Sequence, residues 1–332
     1  MRNTILINAV ESIGMTVADL DRSLYFYTTV LDCQKVSDRQ VSGIELDYLP
    51  DPLRERLSGL SDVHLRVVKL QLGNESFELT EFLTPKGRPI PPDSRSNDRW
   101  FQHIAIVVRD MEQAYRHLHH HWISQTSPNP QILPDSNPVA GGIESFYFKD
   151  PDGHNLELIH FPVGKGNPKW QNPSKSLFIG IDHTAIVVAN TAISLAFYCD
   201  LLGMKLQQQS LNFGSEQEDL SGVAHAKVKI SSLKAAAGLG IELLEYIEPD
   251  TGRPIPIDTC PNDLWCCQTM ITLQDSISKF QQLQVTRFSL VSTITIPASK
   301  SDLGHTQGCL IQDPDRHIIN LIDPNYQPEY CT

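Results

Sequence analysis

Short apolar runs and amphipathic stretches follow one another in an order that recurs four times along the chain. Ile13–Val17, Ile104–Val108, Thr184–Val188 and Thr269–Leu273 are alternating or wholly apolar runs of strand length. Each is followed after one residue by Asp19, Asp110, Asn190 or Asp275, side chains suited to cap a helix by accepting a first-turn amide. The amphipathic stretches that follow predict helices over Leu20–Leu31, Met111–His121, Thr191–Leu202 and Ser276–Leu283. Further strand-like runs end in Ser76–Leu83, Asn155–Phe161, Ile241–Ile247 and His317–Ile322. The unit is therefore βαβββ, present four times, and the fold class is α+β.

A second periodicity, twice as long, is written in the residues themselves. Residues 87–100 read GRPIPPDSRSNDRW and residues 252–265 read GRPIPIDTCPNDLW, an offset of 165. DPDGH at 150–154 answers DPDRH at 313–317, and the stretch around Tyr27 answers that around Tyr198. The chain is an internal duplication. Its expected organisation is an N-terminal domain over 1–165 (units about 8–86 and 100–162), a linker over 166–176, and a C-terminal domain over 177–326 (units about 178–250 and 264–324). The linker stretch is rich in Gly, Pro, Asn and Lys, as an exposed boundary requires.

Composition narrows the function. The 332 residues are 40% hydrophobic and 20% charged, enough to fill a core. With 39 acidic against 27 basic residues the formal charge is −12, which argues against nucleic acid and anionic membrane as partners. The expected partner is a small molecule. No signal sequence or apolar span stands out, and seven cysteines without a CxxC pair suit a reducing, cytoplasmic setting. Both clefts can form within one chain, so monomer and homodimer are both compatible.

The four βαβββ units, DLDRSLYFY at 19–27 and DPDGHNLEL at 150–158 resemble the vicinal oxygen chelate superfamily, which includes glyoxalase I, bleomycin-resistance proteins and extradiol dioxygenases. The resemblance covers essentially the whole chain. It implies two units paired into a cupped mixed sheet, with a divalent metal held by one residue on the first and one on the last strand of each unit. Carried over position by position, it assigns Ser12, Glu78, His103 and Glu157 to an N-terminal cleft and His183, Glu242, Gln268 and Asn320 to a C-terminal one.

Glu78, His103 and Glu157 supply one imidazole and two carboxylates, a set suited to Fe(II), Mn, Ni, Co or Zn. His183, Glu242 and Gln268 offer one carboxylate fewer and form a weaker second site. On this reading the active cleft is N-terminal, and Glu157 or Glu78 is the base of a glyoxalase-like lyase or isomerase reaction. A Fe(II)-dependent dioxygenase is the alternative, although neither expected cleft contains two histidines. A non-catalytic binding or resistance protein is a third reading.

Ser12, His64, His225 and Asn320 are candidate substrate contacts. His117, His119, His120 and His121 end a helix and suit its negative pole better than a metal. Glu81 and Glu245 are expected to be solvated. Arg88 and Arg253, with Trp100 and Trp265, are expected to fix the crossing between units rather than to bind substrate.

Overall fold

The computed structural model describes residues 6–41, 64–274, 290–295 and 307–323. The first unit comprises β1 (Ile7–Val17), α1 (Leu20–Tyr25), β2 (Gln34–Val41), β3 (His64–Leu72) and β4 (Glu75–Thr84). The second comprises β5 (Gln102–Val108), α2 (Met111–His120), β6 (Ser124–Gln125), β7 (Gln131–Ile132), β8 (Glu144–Lys149) and β9 (Asn155–His160). The third comprises β10 (Phe178–Val187), α3 (Thr191–Leu195), β11 (Lys205–Asn212), α4 (Ser215–Ser221), β12 (Lys227–Lys234), β13 (Ala237–Gly238) and β14 (Gly240–Glu248). The fourth comprises β15 (Cys267–Leu273), β16 (Leu290–Thr295), β17 (Gln307–Gln312) and β18 (Ile318–Asp323). The helix expected over Ser276–Leu283 lies outside the described residues.

The caps behave as the sequence predicts. Asp19, Asp110 and Asn190 accept the amides of Arg22, Gln113 and Ile193 at 3.0, 2.9 and 3.1 Å. The helices expected over Leu20–Leu31 and Thr191–Leu202 both change their winding part-way. A turn of π-helix takes over at Phe26–Val30 and at Ala196–Leu201. Glu81 and Glu245, expected to be solvated, instead turn back onto the helix starts. Glu81 Oε2 accepts from the Leu20 amide at 3.0 Å, and Glu245 Oε2 from the Thr191 amide and hydroxyl at 3.2 and 2.5 Å. A carboxylate there satisfies orphan first-turn donors.

The strands of the described residues form two mixed sheets of nine strands each. One runs β16-β17-β18-β15-β1-β4-β3-β2, with β13 beside β1. The other runs β11-β12-β14-β10-β5-β9-β8-β6, with β7 beside β8. The units therefore pair first with fourth and second with third. This corrects the expected pairing of first with second and third with fourth. The central seam of each sheet is an antiparallel pair of first strands, β1 with β15 and β5 with β10. Apolar faces of α1, α2 and the third unit's helical segment share one core with both sheets, through Leu20, Tyr27, Leu118, Phe197, Ile13, Ile104, Ile186 and Ile319. Burying both sheets against one layer of helices leaves their opposite faces to form clefts.

The two repeated motifs tie the halves together. Arg88 forks onto Asp263 and reaches Asp258, while Arg253 forks onto Asp98 and reaches Asp93. Each guanidinium lies over the other half's tryptophan, Trp265 at 4.8 Å and Trp100 at 4.7 Å. A Cβ on Gly87 would sit 1.8 Å from the Asn262 carbonyl oxygen, so glycine is required by the close approach of the two loops. In the DPDGH motif, Asp150 accepts from the Tyr27 hydroxyl at 3.0 Å and is 2.9 Å from His154 Nδ1, whose other nitrogen meets the Leu264 carbonyl at 2.7 Å. Tyr198, Asp313, His317 and the Arg99 carbonyl repeat that arrangement.

Candidate metal centre

On one face of the second sheet, four ligand-type side chains stand in spatial order along four adjacent strands: Glu242 on β14, His183 on β10, His103 on β5 and Glu157 on β9. The register explains why they meet. His183 lies opposite Ala105 and His103 opposite Ala185, so two residues of offset on an antiparallel pair put both imidazoles on one face. Ala105 in turn is level with Glu157, and Ala185 with Glu242, across the parallel pairings. Small alanines at the crossing leave room for the rings between the carboxylates.

Glu157 Oε2 lies 3.1 Å from His103 Nε2 and 3.5 Å from His183 Nε2. Glu242 Oε2 lies 3.4 Å from His183 Nε2. His103, Glu157 and His183 are all buried, and their facing atoms (His103 Nε2, His183 Nε2, Glu157 Oε2) make no aligned hydrogen bond. Such atoms converge on a shared point rather than on one another. Two ligands about 2.1 Å from one ion stand about 3.0–3.4 Å apart for octahedral to tetrahedral angles. His103, Glu157 and His183 therefore fit a dication, with Glu242 in reach as a fourth ligand or a nearby base. One atom from each of His103, Glu157 and His183 falls within 4.8 Å of the other two.

Neighbouring groups set the orientation of each carboxylate and of His183. Ser145 donates to Glu157 Oε1 at 2.5 Å, and Ser232 donates to Glu242 Oε1 at 2.5 Å. Each carboxylate thus keeps Oε2 for the centre. Asp182 Oδ2 sits 3.1 Å from His183 Nδ1 and leaves Nε2 to face inward. Trp170 donates to Asp182 Oδ1 at 2.5 Å, so the linker expected as an exposed boundary contributes to the support of the site. Burial pushes the Glu157 carboxyl up, but the two histidines overcome it and hold it at about 2. Burial pulls His183 down, and Glu242, Asp182 and Glu157 together push it well above the usual imidazole range. The site strongly favours positive charge, whether a proton or a cation.

The centre borders a cleft of about 900 Å3 walled by Leu133, Ile159, Tyr147 and Leu220 and dotted with the amides of Gln208, Asn212 and Gln217. Lys165, Lys169 and Lys234 also line it, so the cleft suits a polar, oxygen-rich small molecule more than an apolar one.

The eight positions assigned from the sequence are regrouped by the sheet pairing. His103 and Glu157 share a cleft with His183 and Glu242, so two histidines do converge, against the expectation that neither cleft holds a pair. Glu78, expected beside His103, lies on the other sheet, level with Gly14 across β1 and β4. Ser12, Gln268 and Asn320 are on that same sheet, and Ser12 donates to Met270 Sδ at 3.1 Å. Burial pushes the Glu78 carboxyl up, partly offset by Lys69 and Arg39. His64 is exposed at the start of β3, and the side chain of His225, 88% exposed, lies in a turn. Ser145, Ser232, Asp182 and Trp170 escaped the sequence reading. The acid preceding His183 was the one signal available for any of them.

Comparison with known proteins agrees with this architecture. The model of the Glyoxalase/Bleomycin resistance protein/Dioxygenase superfamily matches residues 9–158 and 180–264. A 2-epi-5-epi-valiolone epimerase from Actinomyces is 30% identical over 157 residues, 47% of this chain and 81% of that protein. Glyoxalase I from Zea mays shares the fold with a TM-score of 0.62 at 17% identity, over 96% of this chain and 92% of that one. A putative dioxygenase from Bacillus subtilis aligns at a TM-score of 0.56 and 11% identity, over 97% and 87%. At these identities the two structures speak for the fold alone. The matched segments take in more than half of the sequence, and the chain belongs to the Glyoxalase/Bleomycin resistance protein/Dioxygenase superfamily.

Proposed function

We propose that the chain is a divalent-metal-dependent epimerase or isomerase that moves a proton at a carbon next to a carbonyl. The observation that carries this reading is the convergence of His103 Nε2, His183 Nε2 and Glu157 Oε2, without hydrogen-bond partners, beside Glu242. A bound dication supplies a Lewis acid for a substrate carbonyl and its neighbouring oxygen. The protein residues do the rest. Glu157 is held by Ser145 and both histidines and serves as an anchor. Glu242 contacts one histidine, is fixed by Ser232 through its other oxygen, and borders the open cleft. It is the better placed of the two to take the proton. The 30% identity to an epimerase supports the same class of chemistry.

A ferrous dioxygenase is kept as a second reading, because two imidazoles and one carboxylate form the ligand set of non-haem iron oxygenases. The test is anaerobic proton exchange in deuterated water on a panel of hydroxyketones, with protein reconstituted separately with Fe, Mn, Ni, Co and Zn. Exchange that falls at least about a hundredfold in Glu242→Gln, with metal retained, is the expected result. Oxygen uptake by the ferrous protein without any exchange would replace this reading with the oxygenase.

A further inference from the structure

The internal duplication lets a cavity in one half be compared with its counterpart in the other. Behind the start of β5 lies a cavity of about 210 Å3 bordered by Arg95, Lys149, Asn155, Thr126 and the tryptophans Trp100 and Trp265. Its counterpart in the other half is bordered by the matching Trp265 and Trp100, by Gln312 and by Ile318, and has shrunk to about 40 Å3. The motif offsets pair Lys149 with Gln312, Asn155 with Ile318 and Arg95 with Cys260. Among the described residues, the lysine and asparagine in the wall of one copy are thus replaced by a glutamine and an isoleucine in the other, whose guanidinium comes instead from Arg316, at the position of Gly153.

The polar copy is built for negative charge. Lys149 and Asn155 are direct cross-strand partners on β8 and β9, so their side chains leave the sheet on one face. Gln312 and Ile318 occupy the same register on β17 and β18. Among the described residues, neither the Lys149 ammonium nor the Arg95 guanidinium has a carboxylate partner, in a chain of net charge −12. Thr126 Oγ1 is buried there without a hydrogen-bond partner. Phe101 borders this cavity and Tyr147 borders the large cleft. Their rings stand 6.0 Å apart, and Phe101 also packs edge-on against His103 at 5.5 Å. The cavity is therefore separated from the cleft by an aromatic wall.

We propose that this cavity binds a phosphate-type oxyanion, held by Lys149 and Arg95 with hydrogen bonds from Asn155 and Thr126, apart from the metal centre. A fork and an ammonium suit a tetrahedral dianion, which accepts several charge-assisted hydrogen bonds at once. The site does not depend on the proposed reaction.

The probe is inorganic phosphate, titrated against the whole chain by calorimetry and by tryptophan fluorescence, since two tryptophans border the cavity. Saturable binding is expected, weakened at least about tenfold in Lys149→Gln and in Asn155→Ile. Each substitution installs the residue that the other half already carries in a folded unit. Binding is expected to persist unchanged in Glu157→Ala, which separates it from the centre, and in Lys234→Gln, which separates it from the large cleft that Lys234 borders. No saturation at tens of millimolar phosphate would overturn the proposal. So would full affinity in Lys149→Gln, or loss in Lys234→Gln alone.

Discussion

Among the described residues, Glu157 is the carboxylate that touches both histidines of the centre, and its removal is expected to strip bound metal. Glu157→Ala and His183→Ala should each purify with metal reduced at least about tenfold. Glu78→Ala should keep it, because Glu78 stands on the other sheet. Metal content by mass spectrometry on untagged protein decides this, and retention in His183→Ala would sink the assignment. Ser145→Ala should keep the fold yet weaken metal affinity about ten- to a hundredfold, since it frees Glu157 Oε1 to rotate. A chelator titration reads that difference. At this scale the sequence was informative about position and silent about company. The sequence places His103 and His183 on first strands and Glu157 and Glu242 on last strands, and each lies on such a strand. Which of them share a cleft depends on pairings between strands far apart in sequence, and no local pattern encodes those.

At the scale of the element, the repeated loops do the joining. The nine residues shared by GRPIPPDSRSNDRW and GRPIPIDTCPNDLW include the glycine, arginine, aspartates and tryptophan that build the two reciprocal clasps. Their identity was plain in the sequence, and so was their architectural role. Their crossed partnership was not, because Arg88 and Asp263 are 175 positions apart. Arg88→Ala leaves Asp263 with a side chain 2% exposed and one cation fewer. The expected cost is about 2 kcal/mol, below that of a fully buried pair because the guanidinium is half exposed. Urea unfolding measures it, and Arg88→Lys should recover only part, since an ammonium cannot fork. The π-helical turns inside two expected α-helices had no legible signal, because apolar spacing does not separate a wide turn from a regular one.

The whole molecule carries a pH dependence through its two buried histidine latches. Burial pulls His154 down, yet Asp150 raises it to about 9, and His317 beside Asp313 is raised in the same way. A histidine whose folded value exceeds its unfolded value of about 6.5 lends stability fully below that point. The His154 contribution disappears as pH rises through about 9, and that of His317 as pH rises through its own raised value. Thermal unfolding should therefore shift downward between pH 6.5 and 9.5, and the double variant His154→Gln, His317→Gln should be less stable at pH 6.5 and flatter across the range. An equally steep profile in the double variant would assign the slope to other groups.

The sheet order also fixes what half a chain can do. Residues 1–165 carry His103 and Glu157, residues 166–332 carry His183 and Glu242, and neither sheet closes within one half. Each half alone is expected to bind metal poorly, and mixing the two should restore one metal per pair. Full metal binding by either half would contradict the pairing.

The nested order of the units, with the second and third inside the first and fourth, has a consequence for biosynthesis. The inner sheet can zip up once Glu248 has left the ribosome, with every candidate metal ligand already present. The first strand, β1, must wait for β15 before its seam with the fourth unit is filled. Until then a long, apolar strand edge stays open to any passing chain. Nascent protein is thus expected to acquire its metal centre early and to depend on chaperone cover late, in the interval between the third unit and the last.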